Sequence, residues 1–126
     1  MATNETGLSQ IGQIALTFRD LPKAVQFYRD TLGMKLLFEV PRMAFFDCGG
    51  VRLMLGEPEK PEFDHPSSIL YFKVNDLQAM YELFQSRGVK FESEPHLIAK
   101  MPDHELWMAF FRDCEENFLG LMSEVR

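Results

Sequence analysis

The sequence of 126 residues has few of the residues that usually reveal a protein's chemistry: two cysteines, one tryptophan and three histidines. No CxxC pair is present, so the spacings of a cysteine zinc site are missing. A glycine-rich phosphate loop and a serine nucleophile elbow are missing as well, which removes the common signatures of nucleotide-binding proteins and serine hydrolases. Two isolated cysteines are typical of a reducing compartment rather than of a disulfide framework.

The sequence also lacks long apolar runs and an excess of positive charge. No run of about 18 apolar residues is present, as a membrane-spanning helix would need. The polar residues 1–10 do not have the basic-then-apolar layout of a signal peptide. The formal net charge is −6, whereas a surface that binds nucleic acid is basic. We therefore expect a cytoplasmic protein that binds neither nucleic acid nor membranes.

What the chain does contain is an internal repeat. The segments IGQIALTFRDL and SILYFKVNDL both read as a strand that ends in Asp-Leu. Each Asp-Leu opens a stretch with apolar residues at helical spacing, which makes Asp20 and Asp76 the predicted N-caps. Gly33 and Gly88 follow where each helix would end in a left-handed residue. The repeat therefore predicts two similar strand–helix units.

Further strands are predicted after each helix. GMKLLFE and GVKFESE follow the two glycines, and the turns DCGG and DCEE separate two more strands in each unit, with Cys48 and Cys114 at equivalent positions. We predict an α+β fold of two tandem βαβββ modules that form a curled mixed sheet around a cleft. The predicted boundaries are 11–56 for module one, 57–67 for the linker and 68–124 for module two, within a single domain of residues 1–126.

Alternation along each predicted strand divides its side chains between a packed face and an opposite face. In the first strand Ile14, Leu16 and Phe18 form the apolar set that packs under the helix. The same parity assigns alternate residues of the other strands to the face that would line the cleft. The candidate cleft residues are Gln13, Arg42, Arg52, Met54, Ile69, Tyr71, His104, Met108, Gly120 and Met122.

The stretches IALTFRDLPKAVQFYRDTLGM and FFRDCEENFLGLMSE resemble the vicinal oxygen chelate superfamily. This superfamily includes glyoxalase I, methylmalonyl-CoA epimerase, extradiol dioxygenases and the fosfomycin- and bleomycin-resistance proteins. The resemblance extends from Ile11 to Glu124 and implies the paired βαβββ fold, a small-molecule ligand and a homodimer. In metal-dependent members, four inward side chains, usually His, Glu or Gln, hold one divalent ion that acts as a Lewis acid.

The resemblance also implies where those four ligands would stand. Two positions lie seven residues before the Asp of each Asp-Leu pair, and two lie seven residues after each hairpin Asp; here they hold Gln13, Ile69, Met54 and Gly120. Only Gln13 offers an oxygen to a hard cation, and the thioether of Met54 is unsuited to Mg²⁺, Zn²⁺ or Ni²⁺. The sequence therefore predicts no metal site and no other cofactor.

Four other cleft residues carry chemistry of their own. His104 and Tyr71 are candidates for acid–base catalysis, because imidazole titrates near neutral pH; the alternative is that His104 only closes a hairpin and Tyr71 only fills the space of the absent metal site. Arg42 and Arg52 are predicted on neighbouring strands, where a guanidinium pair would hold a carboxylate or phosphate. The alternative is that both reach the rim and pair with acidic side chains.

Three functions remain open from the sequence. The first, which we favour, is a metal-free protein that binds a small, partly apolar molecule, with Met54, Met108 and Met122 as an adaptable pocket wall. The second is a glyoxalase-like lyase or dioxygenase that holds a divalent ion through unconventional ligands such as Gln13 and His104. The third is a metal-independent enzyme that uses His104 or Tyr71.

Overall fold

The computed structural model describes residues 7–58, 60–66 and 68–126, apart from the side chain of Phe63. Each of the two units begins with a strand and a helix and continues with three strands. The elements are β1 Gln13–Thr17, α1 Leu21–Gln26 with a π-helical continuation over Phe27–Thr31, β2 Lys35–Val40, β3 Met43–Cys48, β4 Val51–Gly56, a 3₁₀ turn Pro61–Phe63, β5 Leu70–Lys73, α2 Leu77–Ser86, β6 His96–Lys100, β7 Glu105–Arg112 and β8 Phe118–Val125.

Both helices begin and end where the sequence predicts. The carboxylates of Asp20 and Asp76 accept hydrogen bonds from the backbone N–H groups three residues further on, at 3.2 and 3.0 Å, so both predicted N-caps are confirmed. After the helices the chain turns at Gly33 and Gly88, whose φ angles are 75° and 90°. This left-handed conformation is strained for residues with a Cβ atom, which explains the two glycines.

The strands form two four-stranded mixed sheets, in the orders β1-β4-β3-β2 and β5-β8-β7-β6. In each sheet the first strand runs parallel to the last strand of its unit, and the other neighbours are antiparallel. The prediction of two tandem βαβββ modules is therefore confirmed. Among the described residues, no strand of one sheet pairs with a strand of the other, so the chain contains two separate sheets.

One predicted strand is wrong. The segment GVKFESE makes only an isolated bridge, between Phe91 and Phe111, and the strand beside β7 begins at His96 instead. The apolar alternation that suggested a strand serves a different purpose, because Phe91 packs its ring 4.6 Å from Tyr81 and 5.3 Å from Phe111. The segment thus covers the core beneath α2, and the chain joins the sheet only after Pro95.

The two β-hairpins that follow β3 and β7 differ by one residue. Residues 49 and 50 form a two-residue turn, since Cys48 pairs with Val51, whereas the turn after β7 has three residues, since the Asp113 N–H donates to the Asn117 carbonyl at 2.9 Å. In strand register Cys48 therefore corresponds to Asp113. The predicted equivalence of Cys48 and Cys114 is wrong, because the longer turn moves Cys114 off the strand.

The core lies on the helix side of both sheets and forms one cluster that includes residues of both modules. Four leucines that the sequence places in the core, Leu53, Leu55, Leu119 and Leu121, are no more than 2% exposed, and Ala109 and Phe111 are fully buried. The side chains of the opposite parity therefore point away from this shared core.

No helix among the described residues is long and apolar enough to span a bilayer.

Candidate functional site

The face of module one that points away from the core carries a polar row beside an apolar row. Gln13 lies opposite Arg52, and Ala15 lies opposite Met54, which in turn lies opposite Phe45. The Gln13 amide nitrogen donates to the Met54 sulfur at 3.8 Å, and the Arg52 guanidinium carbon lies 5.8 Å from the centre of the Phe45 ring. We call these five residues the module-one face.

The corresponding face of module two is aromatic and rich in methionine. Tyr71 lies opposite Gly120, which lies opposite Phe110. Met122 lies opposite Met108 in the next row. The Tyr71 and Phe110 rings meet edge to face, with 5.9 Å between their centres, in the favoured geometry of an aromatic pair. We call Tyr71, Met108, Phe110, Gly120 and Met122 the module-two face.

Gly120 lies beneath these two rings. A Cβ atom on Gly120 would stand 2.9 Å from Cδ2 of Tyr71 and 3.2 Å from Cε1 of Phe110. The first distance is shorter than a van der Waals contact between carbon atoms, so any side chain here would require the rings to move. Tyr71 therefore occupies the space that a longer side chain at position 120 would need.

The residues at the four expected ligand positions do not fit a divalent metal ion. Gln13 supplies an amide, Met54 a thioether, and Ile69 and Gly120 supply no donor atom. Hard divalent ions are held by several oxygen or nitrogen donors. Within residues 7–58, 60–66 and 68–126, no group of three or more His, Cys, Asp or Glu side chains is placed to hold an ion.

The structure does not bring Arg42 and Arg52 together, and their predicted guanidinium pair is wrong. Arg42 stands in the turn between β2 and β3 with a φ of 70°, and its Nε lies 3.2 Å from Glu57 Oε1. Gly56 marks the end of β4 nearest this turn, and Arg52 lies four residues earlier, about 13 Å away along the strand. Strand parity does not extend through a turn, which is why alternation misplaced Arg42.

His104 lies at the rim of module two, directly before β7. Phe110 lies six positions further along the chain, which corresponds to about 20 Å along the strand. Its Nδ1 lies 2.7 Å from Asp103 Oδ1, and this hydrogen bond to His104 lowers the pKa of the Asp103 carboxyl. The two acid–base candidates, His104 and Tyr71, are thus far apart. His104 lies at the start of a hairpin, as the alternative interpretation of this residue expects.

Neither cysteine is prepared for nucleophilic attack. Burial raises the pKa of the Cys48 thiol. Burial, and then the nearby charge of Asp113, raise the pKa of the Cys114 thiol to about 11. Because the thiolate is the reactive form, both side chains are almost wholly unreactive thiols at neutral pH.

The cleft residues singled out from the sequence omit three aromatic residues that build this surface. Phe45 stacks on Phe38 with 4.6 Å between ring centres, and Phe118 stacks on Phe110 at 5.2 Å. Their strand parity was the available signal, since Phe45, Phe110 and Phe118 alternate with core residues. The candidate list instead followed the expected metal-ligand positions, the methionines and the side chains able to act as acids, bases or anion ligands.

Comparison with known proteins agrees with this architecture. Residues 10–119 match the family model described as "Glyoxalase/Bleomycin resistance protein/Dioxygenase superfamily". The chain is 32% identical to the uncharacterized protein YraH of Bacillus subtilis (strain 168), over 86% of this chain and 94% of that protein. It is 30% identical to the metallothiol transferase FosB of Staphylococcus haemolyticus, but only over 52% of this chain and 50% of that protein.

Among solved structures, TnmS3, an antibiotic binding protein from Streptomyces sp. CB03234, has the same fold. The two align with a TM-score of 0.76 and 24% sequence identity, over 95% of this chain and 99% of that one. The lactoylglutathione lyase of Agrobacterium tumefaciens aligns with a TM-score of 0.72 and 23% identity, over 92% and 94% of the two chains. The chain therefore belongs to the glyoxalase/bleomycin resistance protein/dioxygenase superfamily.

Proposed function

We propose that this protein is a metal-free cytoplasmic homodimer that binds a small, partly apolar molecule in its cleft. The observation that carries the proposal is the position of Tyr71 and Phe110 over Gly120, within 2.9 and 3.2 Å of where a Cβ would stand. An aromatic surface takes the place of one expected metal ligand, and two others are replaced by Ile69 and Met54. A surface of this kind contributes dispersion and hydrophobic contacts rather than Lewis-acid catalysis.

The two faces suggest which ligands bind. The module-two face offers aromatic edges and two flexible thioethers, Met108 and Met122, which adapt to irregular apolar shapes. The module-one face offers the amide of Gln13 and the guanidinium of Arg52, which would orient a carbonyl or an acidic group. We therefore expect a ligand with a planar apolar part and at least one hydrogen-bond acceptor. The fold shared with TnmS3, an antibiotic binding protein, supports a binding role.

A second copy of the chain would complete the cleft. Several large apolar side chains on the outward faces are exposed, with Phe38 at 46%, Val40 at 44%, Ile69 at 45% and Tyr71 at 47%. Such residues, when they form a patch, mark interaction surfaces. A two-fold dimer would set the module-one face of one subunit against the module-two face of its partner, so each cleft would have two walls.

The alternative is a metal-dependent transferase or lyase, and the similarity to FosB over half of the chain favours it. The unconventional ligands considered for such an enzyme, Gln13 in β1 and His104 directly before β7, belong to different modules, and His104 already pairs with Asp103 at the rim. No observation favours the metal-independent enzyme that uses His104 or Tyr71, since His104 Nδ1 lies 2.7 Å from Asp103 Oδ1 at the rim and Tyr71 packs edge to face against Phe110.

Metal content and ligand-free stability test the proposal. We expect the purified, tag-free protein to contain no stoichiometric ion by mass spectrometry. Mg²⁺, Mn²⁺, Ni²⁺, Zn²⁺ and Fe²⁺ should leave its melting temperature unchanged, whereas a bound ion would raise it by mass action. A stoichiometric ion, or a rise specific to one metal, would overturn the proposal in favour of the transferase or lyase.

A gain-of-binding variant provides the matched control. This variant introduces metal-ligand side chains at the three expected ligand positions that lack them, through Met54→Glu, Ile69→His and Gly120→Glu. It also carries Tyr71→Ala, which removes the ring that blocks position 120. This variant should gain a Zn²⁺- or Ni²⁺-dependent rise in melting temperature in the same assay. Size-exclusion chromatography with light scattering tests the dimer separately, and a monomer at micromolar concentration would contradict it.

A further inference from the structure

On the helix side the two modules contact each other at two places related by the internal repeat, which we call the first and second joints. In the first joint, the helix of module one and the residues before it bind carboxylates of the hairpin that follows β7. The hydroxyl of Tyr28, on the helix of module one, donates to Asp113 Oδ2 at 2.7 Å. Both residues are buried, at 0% and 3% exposure. Burial, reinforced by Asp113, raises the pKa of Tyr28 well above its usual value, so the phenol keeps its proton. The Glu115 carboxylate accepts from the backbone N–H groups of Arg19 and Asp20 at 2.8 to 3.1 Å.

The second joint is the corresponding place in the repeat, where α2 of module two faces the start of β2 and the end of β3 of module one. It has the same backbone plan without these groups. Phe84 follows its N-cap by eight residues, as Tyr28 does, and packs 6.0 Å from Phe111 of its own sheet. It lacks the hydroxyl. The strand position that matches Asp113 is Cys48, and the turn beyond it consists of glycines 49 and 50. The bond that closes the first joint therefore has neither partner in the second.

A cavity of about 270 Å³ lies at the second joint. Its floor is formed by Phe84, Phe111 and Leu121, which are at most 5% exposed. It opens on the helix side and is distinct from the two cleft faces defined above. Its lining residues are Leu32, Gly33, Met34, Lys35, Asp47, Phe72, Val74, Met80, Phe84, Phe111 and Leu121.

The chemistry of the cavity suits one small aromatic molecule with a hydroxyl group. An apolar cavity of roughly 150 Å³ is enough to bind benzene, so a single substituted ring fits in this volume. Lys35 and Asp47 are the charged lining residues; they are exposed at the rim and lie opposite each other on neighbouring strands. A carboxylate accepts a hydrogen bond from a hydroxyl group, and an ammonium group donates a hydrogen bond to the oxygen of that hydroxyl.

We propose that this joint cavity is a second binding site, separate from the cleft, for a small phenol. The ring takes the apolar space beside Phe84, and the hydroxyl points to the open rim of the cavity, where it donates to the exposed Asp47 carboxylate. Lys35 donates to the phenol oxygen. The ligand thereby adds a ring and a hydroxyl–carboxylate hydrogen bond to a joint at which Arg87 Nη1 donates to the Thr31 carbonyl at 2.9 Å.

Methionine-methyl NMR with para-cresol, which is the tyrosine side chain without its backbone, tests the site in the unmodified protein. Met34 and Met80 line the joint cavity, whereas Met54, Met108 and Met122 report on the cleft. We titrate para-cresol to about 10 mM, tenfold above the roughly 1 mM dissociation constant expected of so small a ligand. The Met34 and Met80 signals should shift and saturate while the cleft signals stay in place.

Two substitutions on the same helix refine the result. Met80→Trp fills the cavity and should weaken para-cresol at least about tenfold, whereas Glu82→Trp, on the solvent side of α2, should leave binding unchanged. Asp47→Asn should weaken para-cresol about fivefold through the lost charged acceptor, and should leave toluene unaffected.

Three results would overturn the proposal. The first is the absence of any shift at the highest concentration, and the second is movement of the cleft methyl groups with the same concentration dependence as Met34 and Met80. The third is unchanged binding in a folded Met80→Trp protein. If Met80→Trp does not fold, the pattern of methyl shifts in the unmodified protein still decides, because it locates the ligand without any substitution.

Discussion

The two modules repeat one backbone plan but present different chemistry on their cleft faces. Module one sets the polar pair Gln13 and Arg52 in register, whereas module two sets Tyr71 and Phe110 over Gly120. The core faces did not diverge in the same way. Core positions remained apolar because their burial holds the fold together, while the opposite faces were free to specialise.

The two joints differ in the same manner. At the first joint, Asp113 and Glu115 of the hairpin after β7 bind the other module. At the second joint, the hairpin after β3 has an exposed Asp47 and two glycines in its turn, and a cavity lies beside it. Across the second joint Arg87 Nη1 donates to the Thr31 carbonyl at 2.9 Å, whereas the first joint has the buried Tyr28–Asp113 hydrogen bond and the bonds to Glu115, so we expect the first joint to contribute more to stability. The three predictions below, each with its own substitutions, test this asymmetry and the asymmetry of the faces.

Replacing each hairpin aspartate by alanine should have the largest and most unequal effect. Asp113 accepts bonds from Tyr28, from two backbone N–H groups and from the Asn117 amide. Asp113→Ala leaves the buried Tyr28 hydroxyl and three part-buried donors without their acceptor and should lower the free energy of unfolding by about 3 kcal/mol. Asp47→Ala should change it by less than about 0.5 kcal/mol. Urea denaturation measures both, and equal losses would contradict the unequal joints.

Gly120→Ala should have an intermediate effect that depends on Tyr71. The new methyl group meets the Tyr71 and Phe110 rings, so we expect a loss of about 1 to 2 kcal/mol in the free energy of unfolding. In a Tyr71→Ala background the same change should cost clearly less, because only the Phe110 contact at 3.2 Å remains; a double-mutant cycle by thermal denaturation measures the difference. Gly12→Ala, where a Cβ has no neighbour within 4 Å, is the matched control. A loss that is undiminished without Tyr71 would show that the Tyr71 ring does not occupy this space.

Glu116→Gly should have the smallest effect, and it should stabilise the protein. Glu116 has a φ of 68° in the hairpin after β7, a conformation that glycine adopts without the steric cost of a Cβ. We expect a gain of about 0.5 to 1 kcal/mol in the free energy of unfolding by urea denaturation. Its side chain is exposed and pairs only with Arg112 at 4.0 Å, so little is lost. A destabilised protein would mean that this pair matters more than the backbone conformation.

Local sequence signals predicted most of the fold, because they act over short distances. Asp20 and Asp76 cap helices through groups three residues away, and strand alternation assigned Leu53 and Leu119 to the core. The prediction that failed, a strand at GVKFESE, depended on which segment pairs with the edge of β7. Local periodicity does not specify which distant segments pair, and the alternation of Val89 and Phe91 therefore indicates a strand although the segment does not form one.

The candidate site was predicted in part, for a similar reason. Parity correctly placed Gln13, Arg52 and Met54 on one face, and the structure agrees on their adjacency. It failed for Arg42, because a turn interrupts the alternation. The closeness of Tyr71 to Gly120 was not predictable either, since the parallel register of β5 and β8 joins residues 49 positions apart.

By itself the sequence determined the repeat, the helix ends and which strand residues face the core. It also determined that the four expected ligand positions lack suitable metal ligands, since all these features depend on residue type and short-range spacing. The tertiary structure alone decided that Tyr71 and Phe110 cover Gly120, that Asp113 is buried under Tyr28, and that the second joint keeps a cavity. A one-residue difference between two hairpin turns is invisible to composition. It moves Asp113 into the register occupied by Cys48 in module one, because the side chains of a strand alternate between faces and one extra residue changes which of them points inward.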